Sequence, residues 1–466
     1  MTLGTEALGL VGAYVTLQGM LGLFDLGLPM ATNHQLAIRV SRGASCEEKA
    51  IFIRSMEVIF WVLAIFIFLI GILAHQWIAV SWLKIETLSY DSASSALILI
   101  IASVAVRFPV SFYSNVLFGL DRHVYPNLVI AALAGVRILV AVVALKGFDA
   151  GLIFFFTIQL IFNFVEVAFL AAGTWCLNER WLVAPRWKEV RKIAKTSSLL
   201  TAISFVGVAL AQLDKIILSN RLSLGDFGIY VAAYTLASGL LALSYPVSNA
   251  VFPQLSSALD RKSYEAVGRL VRLGAEMTIL LIIPLGAVIV MQTQAALDLL
   301  FLVRPVPDGL ADILSLMMLG GMAHALATLP HMFQIASGKP SILLWINAIF
   351  LIPYGGLVFV LTNSYGIWGG AMAFLILNIT RLCLYWAAML SCQVSAFAWR
   401  SIPSLELGWC AGGIVTAGLI GLWPTSKPLN MFVMLVSIVA LVLIAAVALP
   451  ASRRKLLSYI VLDKTF

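Results

Sequence analysis

Residues 9–42 read GLVGAYVTLQGMLGLFDLGLPMATNHQLAIRVSR: a long apolar run that closes on a basic turn. Shifted by 219 positions without a gap, the run falls on residues 228–261, so that Gly9, Leu17, Gln35, Leu36 and Arg42 meet Gly228, Leu236, Gln254, Leu255 and Arg261, with Leu10 on Ile229. Two features follow from this one stretch. It is long enough to cross the roughly 30 Å hydrocarbon core of a bilayer as a helix, and the chain carries it twice.

Working outward, apolar runs of this kind fill the chain. Of its 466 residues 61% are hydrophobic and 11% charged, against roughly 25% charged in an average soluble protein. Breaks at charges, prolines and glycines divide it into about thirteen spans. They lie near residues 8–36, 51–74, 94–120, 124–146, 150–177, 193–219, 226–258, 270–303, 310–336, 341–362, 366–391, 404–424 and 429–449. The expected fold is an all-α polytopic membrane protein with no room for a soluble domain.

Basic residues check that count, because they accumulate in cytoplasmic loops. One set of alternate loops holds 21 of the 30 Lys and Arg, including Arg39, Arg42, Lys49 and Arg54, and the other holds 5, including Lys84 and Arg304. Arg107, Arg137, Lys215 and Arg381 fall inside spans. The bias places the C-terminus in the cytoplasm. The net charge of +8 is therefore read as topology and not as a nucleic-acid surface, since the basic residues form no stripe with interleaved aromatics.

In the second copy a span, residues 193–219, precedes the match; its counterpart in the first copy would lie before Met1, which predicts one further N-terminal helix or an upstream start. Both copies run from an outside loop to a basic cytoplasmic one. They are thus parallel repeats, the plan of two-lobed transporters that rock about a central cavity. The expected organisation is an N-terminal lobe over 1–178, an interfacial cytoplasmic linker over 179–192, a C-terminal lobe over 193–400, and two additional helices with a cytoplasmic tail over 401–466. Within the linker, Trp181, Arg186, Trp187, Lys188, Arg191 and Lys192 suit an amphipathic helix at the membrane surface.

Three stretches carry a resemblance. LGTEALGLVGAY at 3–14 followed by LFDLGLP at 23–29, NVLFGLDRH at 115–123, and LDKIILSNRLSLGDFGIYVAAY at 213–234 ending in VFPQLS at 251–256 resemble bacterial polysaccharide-export flippases of the O-antigen (Wzx) type. These belong to the multidrug/oligosaccharidyl-lipid/polysaccharide flippase superfamily. The likeness is strongest in those places, weak after residue 400, and departs from the family in the missing first helix. It implies two MATE-like bundles of six helices, here with two extra C-terminal helices, working by alternating access in the bacterial inner membrane. The implied cargo is a polyprenyl-pyrophosphate-linked oligosaccharide such as an O-antigen or exopolysaccharide repeat unit. Further implied partners are membrane lipid, a coupling proton or sodium ion, and a polysaccharide polymerase with its chain-length machinery.

Candidate site residues come from the cost of charge in hydrocarbon. Arg107, Arg137 and Arg381 lie near the middle of their spans, where an arginine costs about 2.5–3.5 kcal/mol on insertion scales. One reading has them line the cavity and grip pyrophosphate through bidentate hydrogen bonds; the other pairs them with buried carboxylates such as Glu166, or with carbonyls freed at breaks such as that at Pro109. Asp25 is a candidate for a coupling ion or for a helix-to-helix hydrogen bond. Asp214 and Lys215, near the end of their span, are expected at the interface, with Lys215 snorkelling outward, as a structural pair or an outer gate. His324 and His331, seven apart on one span, share a face suited to a proton relay or to ordinary buried hydrogen bonding. Pro29, Pro109, Pro246, Pro284 and Pro353 are expected to kink their helices.

Cys46, Cys176, Cys383, Cys392 and Cys410 lack metal-site or disulfide-framework spacing and are expected to be buried or reduced bystanders. No cofactor motif, nucleotide-binding loop or hydrolase signature is present, so the chain reads as a non-enzyme driven by an ion gradient or by downstream consumption of product. The rivals are a cation-coupled multidrug antiporter of the same superfamily, expected to hold fewer cavity arginines and more carboxylates, and a membrane-embedded glycosyltransferase or polymerase.

Overall fold

The computed structural model describes residues 4–25, 27–83, 90–147, 151–176, 183–188, 198–300 and 306–391. The spans expected at 404–424 and 429–449, the cytoplasmic tail, Cys392 and Cys410 lie outside them. Among the described residues eleven helices are long and apolar enough to cross a membrane, and they match the first eleven expected spans one for one. The chain is a multi-pass membrane protein. It divides into two compact units, one ending at Val231 and the other beginning at Ala232.

In the first unit, α1 (Gly4–Phe24) stops at Asp25 and the chain restarts as α2 (Leu28–Ser41). Gly27 takes a left-handed φ of 68°, Asp25 Oδ1 accepts the Gly27 N–H at 2.9 Å, and Pro29 sits in the first turn of α2, where its missing N–H is harmless. α3 (Cys46–Trp77) is capped by Ser45, whose hydroxyl accepts the Glu48 N–H, with Glu47 and Glu48 in the first turn; it runs on through a π turn, Ile78–Trp82. α4 (Tyr90–Arg107) breaks at Phe108 and continues as α5 (Pro109–Gly119), followed by α6 (Val124–Gly147) and α7 (Leu152–Cys176). α8 (Ser198–Arg221) packs against α1, where Gly19 and Gly22 admit the side chains of Gln212 and Val208. α9 (Leu224–Asp260) begins in this unit. A Cβ on Gly228 would stand 2.5 Å from the Gly9 nitrogen. The two glycines paired by the 219-residue repeat therefore lie backbone against backbone.

The second unit holds the rest of α9, then α10 (Tyr264–Met291), α11 (Thr293–Leu300), α12 (Leu310–Leu326), α13 (Thr328–Ala336), α14 (Ser341–Tyr365) and α15 (Ile367–Ser391). The repeat extends through it. The break between α12 and α13 at Ala327 stands 219 positions after the break at Phe108. α7 and α15, both 25 residues long, start 215 positions apart, so the second copy has lost four residues between the break and this helix. That shift sets Asn378 opposite Asn163 and Arg381 opposite Glu166.

The five prolines fall into two groups. Pro246, Pro284 and Pro353 lie inside unbroken helices, whereas Pro29 and Pro109 begin new ones after breaks. Apolar side chains that face outward on α3, α6 and α14, such as Leu73, Leu139 and Ile352, are what a lipid-facing surface requires, because hydrocarbon exacts no penalty for them. Of the linker, residues 183–188 are described; Trp187 is exposed and the Arg186 N–H donates to Ser55 Oγ at 2.7 Å. Trp181, Arg191 and Lys192 lie outside the described residues. Cys46, Cys176 and Cys383 are free, and they are exposed, not buried, as small residues at helix ends and on lipid-facing surfaces can be without loss.

Candidate functional site

α7 presents Asn163 and Glu166 three residues apart, hence on one face, and both are buried, at 0% and 2% exposure. Arg107, the last residue of α4, reaches this face because the helix ends there. Its Nη1 lies 2.8 Å from Glu166 Oε2 and donates to Asn163 Oδ1 at 3.2 Å. A cation at a helix C-terminus also meets the negative end of the helix dipole. Arg137, from α6, donates to the same Asn163 Oδ1 at 3.1 Å. The Asn163 amide in turn donates to Ser103 Oγ, the Ser103 carbonyl and Tyr14 OH at 2.7, 3.1 and 3.1 Å, and Gln18 donates to Tyr14 OH at 2.7 Å.

Four helices thus meet on one amide that carries no charge itself. Two guanidinium groups and one carboxylate leave the cluster cationic, and Arg137 has no carboxylate partner among the described residues. Glu166 Oε1 is buried without a hydrogen-bond partner there. Of the two readings of the arginines, the pairing with a buried carboxylate holds for Arg107 with Glu166 and not for Arg137. Asn163, Ser103, Tyr14 and Gln18 escaped a search keyed on charge, although an Asn and a Glu three apart in an apolar span was a readable signal.

The remaining candidates separate from this cluster. Asp25 accepts the Gly27 N–H in the turn that precedes α2 and is half-buried. Asp214 and Lys215 form an ion pair at 3.1 Å, with Tyr230 OH donating to Asp214 Oδ2 at 2.6 Å and Lys215 donating to the Ala211 carbonyl. Lys215 is 1% exposed, so the expectation of an outward-snorkelling lysine fails: a carboxylate and a carbonyl within reach hold its ammonium inside. Sequence reading also missed Glu57, a buried carboxylate that pairs with Arg54 and accepts from Tyr113 OH and Trp175 Nε1 at 2.6 and 2.9 Å. The second unit repeats the motif with Arg272 on Glu276.

Arg381 belongs to the second unit. Its Nη2 donates to Tyr385 OH at 3.2 Å, and Tyr385 donates onward to Asn347 Oδ1 at 2.8 Å. His324 and His331 do not share one continuous helix face: the break at Ala327 puts them on α12 and α13. They nevertheless line the same cavity beside Arg381.

With this geometry in hand, the relatives are informative. The family model described as polysaccharide biosynthesis protein matches residues 1–259. The chain belongs to that family. A putative O-antigen transporter of Shigella flexneri is 22% identical over 406 residues, covering 84% of this chain and 92% of the relative. The fold is that of the flippase and multidrug-transporter superfamily. A lipid II flippase, MurJ, in an inward closed conformation aligns over 97% of this chain and 98% of its own at a TM-score of 0.69 and 15% identity. An inward-facing MATE family multidrug transporter aligns over 84% and 92% at 0.70 and 13% identity. The family and the fold agree with the resemblance read from the three sequence stretches.

Proposed function

We propose that this chain is a flippase that carries a polyprenyl-pyrophosphate-linked oligosaccharide across the bacterial cytoplasmic membrane by alternating access of two lobes, residues 1–178 and 193–400. The cargo has an anionic, heavily hydroxylated head that cannot cross hydrocarbon unaided, since each unsatisfied polar group costs several kcal/mol there. One observation carries the choice of an anionic cargo. Four of the buried carboxylates, Glu57, Glu166, Asp214 and Glu276, each face a basic partner, whereas Arg137 and Arg381 face no carboxylate among the described residues.

A site for cationic drugs calls for the opposite balance, with carboxylates in excess. In this reading Arg137, held against Asn163, takes a phosphate oxygen, and Arg107 exchanges Glu166 for a second one; guanidinium geometry suits both. Asn163 fixes where the two guanidiniums stand. The test is export in a host whose own flippase is deleted. Arg107→Ala and Arg137→Ala are expected to abolish surface polysaccharide while the protein still reaches the membrane, with Lys variants partly active. Normal polysaccharide from the double Ala variant would overturn the reading. Energy supplied by a proton or sodium gradient is part of the proposal and is checked by collapsing each gradient in vesicles that report translocation.

A further inference from the structure

Arg381, His324, His331, Tyr245, Tyr385 and Thr328 line a cavity of about 100 Å³ in the second unit. Every one of these side chains can donate a hydrogen bond, and none of the cavity's lining residues is a carboxylate. Two of these hydroxyls are already committed: Tyr385 OH accepts from Arg381 and donates to Asn347, and Thr328 Oγ1 donates to the Ala325 carbonyl. The Arg381 Nε–H is buried and has no acceptor among the described residues. A guanidinium with an unused buried donor beside a donor-lined cavity lacks one thing, an anion.

Size narrows the class. An enclosed cavity of about 150 Å³ accommodates benzene; this one, about 100 Å³ and partly open, has room for a tetrahedral oxyanion against Arg381. We propose that the cavity is a second anion site, separate from the Arg107–Arg137 cluster, that binds one phosphate-sized oxyanion on Arg381. The anion is either free inorganic phosphate or the phosphate headgroup of a polyprenyl lipid; the recognising chemistry is the same. The site also explains the exchange of Glu166 for Arg381 between the repeats: the second unit keeps the buried asparagine of the motif, Asn378, and replaces its internal carboxylate with a cation that takes the negative charge from outside.

The test uses the full chain purified in detergent, with thermal unfolding followed by tryptophan fluorescence at rising inorganic phosphate and constant ionic strength held with chloride. A saturable rise of the midpoint is expected, since a ligand that binds only the folded state stabilises it. The rise should persist in the Arg107→Gln/Arg137→Gln double variant and vanish when Arg381→Gln is added to it. Arg381→Lys, which keeps the charge in case the Gln variant does not fold, should weaken phosphate at least about tenfold because the fork geometry is lost. A flat midpoint, a rise unchanged in both Arg381 variants, or a rise lost only in the Arg107/Arg137 variant overturns the proposal. Export by that double variant is the separate measurement that judges the flippase reading. Polyprenyl monophosphate added in nanodiscs distinguishes the sources: abolition of the response to inorganic phosphate identifies the lipid headgroup, and an undiminished response identifies the free ion.

Discussion

Arg107 and Arg137 donate to one and the same atom, Asn163 Oδ1, at 3.2 and 3.1 Å. Two like charges are held together here by an acceptor that stays neutral, and their repulsion is relieved by Glu166 on one side only. Replacing Asn163 separates geometry from charge. Asn163→Leu removes the shared acceptor and the donors to Ser103 and Tyr14, and should destabilise the protein by about 1–3 kcal/mol for each buried group left unmatched, with export lost. Asn163→Asp keeps an acceptor in place and neutralises the second guanidinium. It is expected to fold, by thermal unfolding in detergent, and yet to export little. Full export by Asn163→Asp would show that the positive charge is not needed.

Glu166 and Arg107 call for a double-mutant cycle. Removing either partner leaves the other charged in a poorly hydrated place, and breaking a buried pair from one side costs about 3–5 kcal/mol. Arg107 keeps a quarter of its side chain exposed, so the lower end of that range is expected for Glu166→Leu. Arg107→Met/Glu166→Leu should recover most of the stability and none of the export. Additive losses in the cycle would mean that the two groups do not interact.

How far the sequence reached follows from which constraints are local. Spans were legible because bilayer thickness fixes their length, and all eleven described helices of that kind stand where the apolar runs put them. The family was legible from three short stretches. Asn163 was passed over because the reading was keyed on charge, and its role arises only where α1, α4, α6 and α7 converge. Lys215 was misplaced for a related reason: its distance from the end of its span suggested water, but Asp214 and the Ala211 carbonyl meet it inside. The match of Glu166 to Arg381 was hidden by the four residues lost ahead of α15, since an ungapped comparison at 219 sets Arg381 against Phe162.

The Asp214–Lys215 pair makes a sharp stability prediction. Lys215→Met leaves a carboxylate at 1% exposure with Tyr230 as its neutral donor, and should cost about 3–5 kcal/mol. Lys215→Met/Asp214→Asn removes both charges and should recover much of that loss, because a neutral amide still accepts from Tyr230. Thermal unfolding of the two variants side by side decides the matter: equal destabilisation would show that the buried charge is not what Lys215 neutralises.

Glycine positions give the last test, because two in comparable helices face opposite surroundings. A Cβ on Gly228 would fall 2.5 Å from Gly9 N and 2.7 Å from the Leu8 carbonyl carbon, backbone atoms that cannot swing aside, whereas a Cβ on Gly135 meets nothing within 4 Å. Gly228→Ala must therefore push α1 and α9 apart, which is expected to reduce folded yield and export together. Gly135→Ala gains the ordinary advantage of alanine over glycine inside a helix, about 0.5–1 kcal/mol, and should raise the unfolding temperature while export is unchanged. The contrast matters because both substitutions add the same single methyl group to a helix in the membrane, so a difference between them reports the close approach and not helix propensity. Comparable behaviour of the two variants would mean that α1 and α9 do not cross where the paired glycines of the repeat put them.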